Sequence, residues 1–168
     1  MLYSSNRMLS FVYGTLKRGQ PNHNLLQATS NGKGRYIGKA RTLEKWPLVV
    51  SSRYNIPYIL DCAGKGNNVT GEVYEIDDKM LAALDKLEAH PVYYQRTDIQ
   101  VMMYEDADGR PLQSQSPINC MFYVLRNYKD HLLNLEFLEE YKDSEPLKYC
   151  THGERTDVED HRGDVMHI

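Results

Sequence analysis

A chain of 168 residues and 19.5 kDa can bury one sizeable core and is short for two domains. Its formal net charge of -3 and pI near 6.1 leave no basic field for nucleic acid. Three widely spaced cysteines without a CxxC pair argue against a disulfide framework or zinc site. No stretch approaches the roughly eighteen apolar residues of a membrane span, and the expected setting is the cytoplasm, with no membrane partner.

The chain opens with an apolar run, Met8, Leu9, Phe11 and Val12, that leads directly into Tyr13, Gly14, Thr15 and Leu16, with Gly19 and Pro21 beyond. This pattern predicts a buried strand ending in a tight turn whose backbone N–H groups are open to a ligand or to another segment. Residues 24–28 suit a short helix and 34–43 a strand. Short apolar runs at 46–50 and 57–60 predict two more strands, with Pro47 and Pro57 at starts or edges, and 67–76 a longer one. The clearest helix follows: Asp77 is a candidate N-cap, Met80, Leu81, Leu84 and Leu87 recur at helical spacing, and Pro91 closes the segment. Residues 94–104 and 118–125 read as strands flanking a polar, mobile loop at 105–116, and 132–138 as a short helix. After Cys150 the chain is polar and charged, which predicts a flexible tail over 150–168 behind a single domain over 1–149. Many strands with one strong helix indicate an α+β fold, a small mixed β-barrel with one or more flanking helices.

Glu88 stands out because, at about 100° per residue, its side chain falls beside the apolar stripe between Leu81 and Leu84. Two readings compete. It can lie past the helix end and turn to solvent or pair with Arg96. Alternatively, it can sit desolvated in a pocket with its pKa lifted toward the working range of a general base. No second carboxylate, GxSxG elbow, HExxH, Walker loop or GxGxxG accompanies it, and the six histidines lack metal-ligand spacing. No cofactor and no metal are therefore expected. Lys17 and Arg18, next to the glycine turn, are candidates either to attract an anion or to be simply solvated. The thirteen tyrosines, against three phenylalanines, suit amphipathic strand faces or a pocket that needs hydroxyls.

Residues 12–23 (Val-Tyr-Gly-Thr-Leu-Lys-Arg-Gly-Gln-Pro-Asn-His), taken with Leu84, Asp85, Lys86, Leu87, Glu88 and with Pro91, Tyr94, Gln95, Arg96, closely resemble the γ-glutamylcyclotransferase-like superfamily, nearest its aminecyclotransferase branch. The resemblance runs over roughly residues 8–149 and is thinnest in the 105–116 loop and the tail. It implies a barrel with a cavity at its mouth, Glu88 as the catalytic acid and base, and Tyr13, Gly14, Thr15 and Leu16 binding the γ-glutamyl group; Tyr94 is added as a pocket-wall residue. The implied reaction closes a γ-glutamyl amine such as γ-glutamyl-ε-lysine to 5-oxoproline and frees the amine, in a monomer whose partner is that small molecule. The same chemistry on free γ-glutamyl amino acids or glutathione is the nearest alternative. A non-catalytic binding or scaffold protein is the alternative of another class.

Overall fold

The computed structural model describes residues 7–113, 115–156 and 158–168. The first six residues of the expected domain and Ser114 of the expected loop lie outside the described residues. Strand β1 (Met8–Val12) is followed by helix α1 (Asn24–Gln27), strands β2 (Gly34–Trp46), β3 (Leu48–Ser51), β4 (Ile56–Ile59) and β5 (Asn67–Ile76), helix α2 (Asp78–Leu87), and strands β6 (Gln95–Asp106) and β7 (Ile118–Val124). Five strands close a barrel in the order β1-β5-β2-β6-β7. Its pairings are antiparallel except the closing one, where Ser10 of β1 meets Met121 of β7 in parallel. Strands β3 and β4 form a separate two-stranded sheet.

Closure depends on β2 bending enough to pair β5 along one edge and β6 along the other. Its register slips between Tyr36 and Gly38 and again between Lys39 and Ala40. Gly38, at φ 151°, sits where a Cβ would fall 2.1 Å from the Glu105 carbonyl oxygen, so only glycine lets the two strands touch there. Alternation along the strands divides the apolar side chains between two clusters. Phe11, Ala40, Val73, Val101 and Phe122 belong to one, with Trp46, Leu48 and Ile59. Val12, Tyr74, Ile76, Met121 and Tyr123 belong to the other, with Met80 and Leu84 of α2.

Helix α2 begins as expected: the Asp77 carboxylate accepts from Met80 N at 2.9 Å and from Lys33 N at 3.1 Å, which ties the helix start to the residue that leads into β2. It ends in a Schellman turn, with His90 N bonded to the Asp85 carbonyl at 2.9 Å and Ala89 N to that of Lys86 at 3.2 Å. Ala89 takes the left-handed conformation (φ 49°) usually filled by glycine. Pro47 separates β2 from β3, so the single expected run at 46–50 is two strands. The expected helix at 132–138 is a 3₁₀ segment over Asp130–Asn134, and the loop from 105 carries ordered turn bonds from Asp108 N and Arg110 N to Asp106 Oδ1.

The tail departs most from expectation. Instead of fraying, residues 150–156 and 158–168 lie back across the domain as a strap. Cys150 N bonds to Tyr54 O, and Lys129 N to Val165 O. Val165 and Met166 are buried, and Arg53 chelates the Asp164 carboxylate at 2.9 and 2.8 Å. Two apolar anchors and paired charges hold a segment whose composition alone resembles a solvated tail.

Candidate active site

Glu88 sits at the C-cap of α2, with backbone φ -83° and ψ 0°. The Schellman turn that follows reverses the chain there, so Glu88 points at a cavity of about 300 Å³ rather than along the helix flank. Tyr13, Gly14, Thr15 and Leu16, which leave the end of β1, and Tyr94, which precedes β6, line the same cavity. All six residues singled out from the sequence are thus brought together.

Among the described residues, the Glu88 carboxylate has no ion pair and no hydrogen-bond partner. Arg96, the alternative partner, is bound instead to Asp85 at 2.7 Å. Burial alone pushes the Glu88 carboxyl up from an ordinary 4.5 to about 8. The ring around it is phenolic: Tyr13, Tyr93, Tyr94, Tyr123 and Tyr149 all feel its charge, and burial holds each phenol above its usual pKa. The phenols therefore stay protonated and neutral beside the acid.

Most of these hydroxyls are anchored away from the cavity centre. Tyr13 donates to the Tyr123 carbonyl at 2.7 Å, Tyr94 to that of Pro57 at 3.1 Å, and Tyr123 to Asp85 Oδ1 at 2.6 Å. Tyr58 and Tyr93 share a hydroxyl–hydroxyl bond. Asp85, on α2, thus joins Arg96 of β6 to the Tyr123 wall and takes up the guanidinium that could otherwise pair with Glu88.

The turn at 13–16 presents open backbone donors: among the described residues no protein acceptor takes the N–H of Gly14, Thr15 or Leu16. Gly14 is not in a left-handed conformation; a Cβ there would meet the Pro57 ring at 2.9 Å. The close approach inferred from the sequence is therefore between two segments of the chain. Lys17 and Arg18 do not face the cavity. Lys17 is buried against the Tyr141 carbonyl, and Arg18 lies over Tyr36 and pairs with Glu72. A second hollow, lined by Arg7, Arg18, Arg35 and Glu75, has these arginines already paired with Glu75 or Glu72.

Several lining residues were not singled out from the sequence: Asn22, Tyr93, Tyr123, Tyr149, His152, Arg155, His161 and Arg162. Asn22 Nδ2 bonds to Thr15 Oγ1 at 2.9 Å and to Tyr149 OH at 3.0 Å, bracing the turn against the strap. The surplus of tyrosine over phenylalanine was the one sequence signal pointing to these walls. Among the described residues no three His, Cys, Asp or Glu side chains converge as a metal site requires.

The model of the family described as "Gamma-glutamyl cyclotransferase, AIG2-like" matches residues 10–143. The mouse gamma-glutamylaminecyclotransferase is 44% identical over 142 residues, covering 83% of this chain and 93% of the relative. The human protein of that name is 39% identical over 145 residues, covering 84% and 95%. The crystal structure of an AIG2-like protein from mouse superposes with a TM-score of 0.81 at 39% identity, covering 89% of this chain and 99% of that one.

Proposed function

Because the chain belongs to the AIG2-like gamma-glutamyl cyclotransferase family, we propose that it is a γ-glutamylaminecyclotransferase, converting γ-glutamyl-ε-lysine to 5-oxoproline and lysine. One observation carries the mechanistic part: a carboxylate in the cavity wall, without a partner among the described residues, whose pKa burial pushes up to about 8. A group so placed can take a proton and return it near neutral pH.

The substrate supplies its own nucleophile. Glu88, ionised, removes a proton from the α-ammonium; the freed amine attacks the γ-carbonyl and closes a five-membered ring. The protonated Glu88 then delivers that proton to the departing ε-nitrogen as the C–N bond breaks, takes the second proton from the ring nitrogen, and passes it to the released amine, which leaves as an ammonium. The glutamate ends as it began, so no enzyme nucleophile is consumed. The open N–H groups of Gly14, Thr15 and Leu16 are assigned to the substrate α-carboxylate, and the neutral phenols of Tyr13 and Tyr94 shape the wall. Holding amine and carbonyl together supplies several kcal/mol of the barrier reduction through proximity. The cavity of about 300 Å³ lies at the small end of ligand pockets, ~300–1,000 Å³. That favours a dipeptide-sized molecule.

The same proposal places the enzyme in the cytoplasm as a monomer, where Cys62, Cys120 and Cys150 stay as free thiols. Among the described residues no helix is long and apolar enough to cross a membrane. The test is to incubate the purified protein with γ-glutamyl-ε-lysine, γ-glutamyl-alanine and glutathione and to measure 5-oxoproline from each. Release from the lysine conjugate above the other two is expected; release from none would refute the enzyme reading.

A further inference from the structure

The strap, with Tyr149 just before it, completes the cavity from outside the stretch that matches the family, residues 10–143, and brings a cation with it. Tyr149, His152, Arg155, His161 and Arg162 all face the cavity. Their charges differ. Arg162 is neutralised by Asp160, with Nε 3.0 and 2.8 Å from the two carboxylate oxygens. His152 is held below its ordinary 6.5 by burial and by Arg155. Arg155 is half-buried and, among the described residues, meets no carboxylate. Its Nε donates to the Cys150 carbonyl at 3.2 Å and its Nη2 to Tyr149 OH at 3.0 Å. Its guanidinium lies 4.8 Å from the Tyr54 ring centroid and 5.4 Å from that of Tyr149.

Two aromatic faces and a carbonyl thus fix a guanidinium at the wall, while Nη1 has no protein acceptor among the described residues. Tyr149 OH already accepts from both Asn22 and Arg155, so its own proton is free for a ligand. Together they make a pair of donors suited to a carboxylate. Asn22 Nδ2 bonds both Thr15 Oγ1 and Tyr149 OH, so the pair adjoins the 13–16 turn; with the glutamyl carboxylate assigned to the N–H groups of that turn, the Arg155 guanidinium beyond Tyr149 is the donor left for a second carboxylate.

We infer that Arg155, with Tyr149, recognises a carboxylate on the departing amine, so that the preferred substrates are γ-glutamyl amines whose amine is itself an amino acid. The inference rests on the reaction proposed above. It makes the strap a specificity element: the barrel and Glu88 supply the chemistry, and the strap selects the leaving group.

The experiment compares kcat/KM for Nε-(γ-glutamyl)lysine and N-(γ-glutamyl)cadaverine, which differ only in the lysine carboxylate, in wild type, Arg155→Gln and Arg155→Lys. A charge-assisted hydrogen bond predicts a wild-type preference for the lysine conjugate of roughly 10- to 100-fold. Arg155→Gln should reduce that ratio to within about threefold, and Arg155→Lys, which keeps the charge and disturbs the strap least, should retain part of it. A wild type that treats the two conjugates alike overturns the inference, and this result needs no variant to fold. So does an Arg155→Gln variant that loses equally on both, or an Arg155→Lys variant that loses the whole preference. Release of 5-oxoproline from neither conjugate by wild type would instead refute the underlying reaction.

Discussion

Glu88→Gln tests the catalytic assignment and the electrostatics behind it in one variant. The change is nearly isosteric and removes only the capacity to ionise. In the folded protein the carboxyl is pushed up from 4.5 to about 8, and at about 1.4 kcal/mol per unit that is on the order of 5 kcal/mol of stability lost on full ionisation. The sign follows from the direction of the shift. The native state holds the proton more tightly than the unfolded chain, so stability is complete below pH 4.5 and falls as pH rises toward 8. Glutamine carries no such penalty. Because Glu88 faces a cavity that water can enter, about half of the full figure is a reasonable expectation, roughly 2–3 kcal/mol. The variant should therefore match wild type in urea melts at pH 4 and exceed it by that margin at pH 9. In thermal scans the pH 9 gap would be about 5–10 °C. Turnover should fall at least about 10³-fold, because both proton transfers are lost, while 5-oxoproline still raises the melting temperature of the variant. Equal stability of the two proteins from pH 4 to pH 9 would refute the buried, unpaired carboxyl; near-normal 5-oxoproline release would refute its role as base.

Three further outcomes follow from the geometry. The value of kcat/KM for the lysine conjugate should rise about tenfold per pH unit below an apparent pKa near 8, the value to which burial pushes Glu88; a flat profile between pH 6 and 8 would speak against it. Asn22→Ala cuts the bonds from Asn22 to Thr15 and Tyr149, and should raise KM more than it lowers kcat, measured by initial rates, because it loosens the binding turn and leaves Glu88 in place. Ala89→Gly relieves a left-handed alanine at φ 49° and should change stability by no more than about 1 kcal/mol in the stabilising direction; a clear loss in urea melts would mean that the methyl group packs usefully against the core.

Much of the site was legible in the sequence because it is built from local signals. A strand ending at Tyr13 and Gly14, and a helix whose stripe and Asp77 cap put Glu88 at its end, depend on periodicity and turn chemistry within a dozen residues. The resemblance to the cyclotransferase superfamily rested on those same two stretches. Their meeting across one cavity was decided by barrel closure, through the β1 and β7 pairing and the bend at Gly38, because contacts between distant segments leave no periodic trace.

Local reading failed where a residue's role depends on what faces it from elsewhere. Arg96 looked free to pair with Glu88, but Asp85 takes it. Lys17 and Arg18 adjoin the 13–16 turn in sequence, yet their side chains bond to Tyr141 and Glu72 instead of facing the cavity. The strap shows the limit most clearly. Its composition is that of a solvated tail, yet Val165, Met166 and the pairing of Asp164 with Arg53 bind it down and carry Tyr149 and Arg155 to the mouth of the cavity. An α+β fold, a glycine-bearing turn and one carboxylate beside an apolar stripe could be read from residue order alone, because each is a property of neighbouring residues. That this carboxylate meets no counter-ion among the described residues, and that the tail supplies a cation, follows from the three-dimensional packing, because charge pairing and desolvation depend on which distant groups the fold brings within a few ångströms.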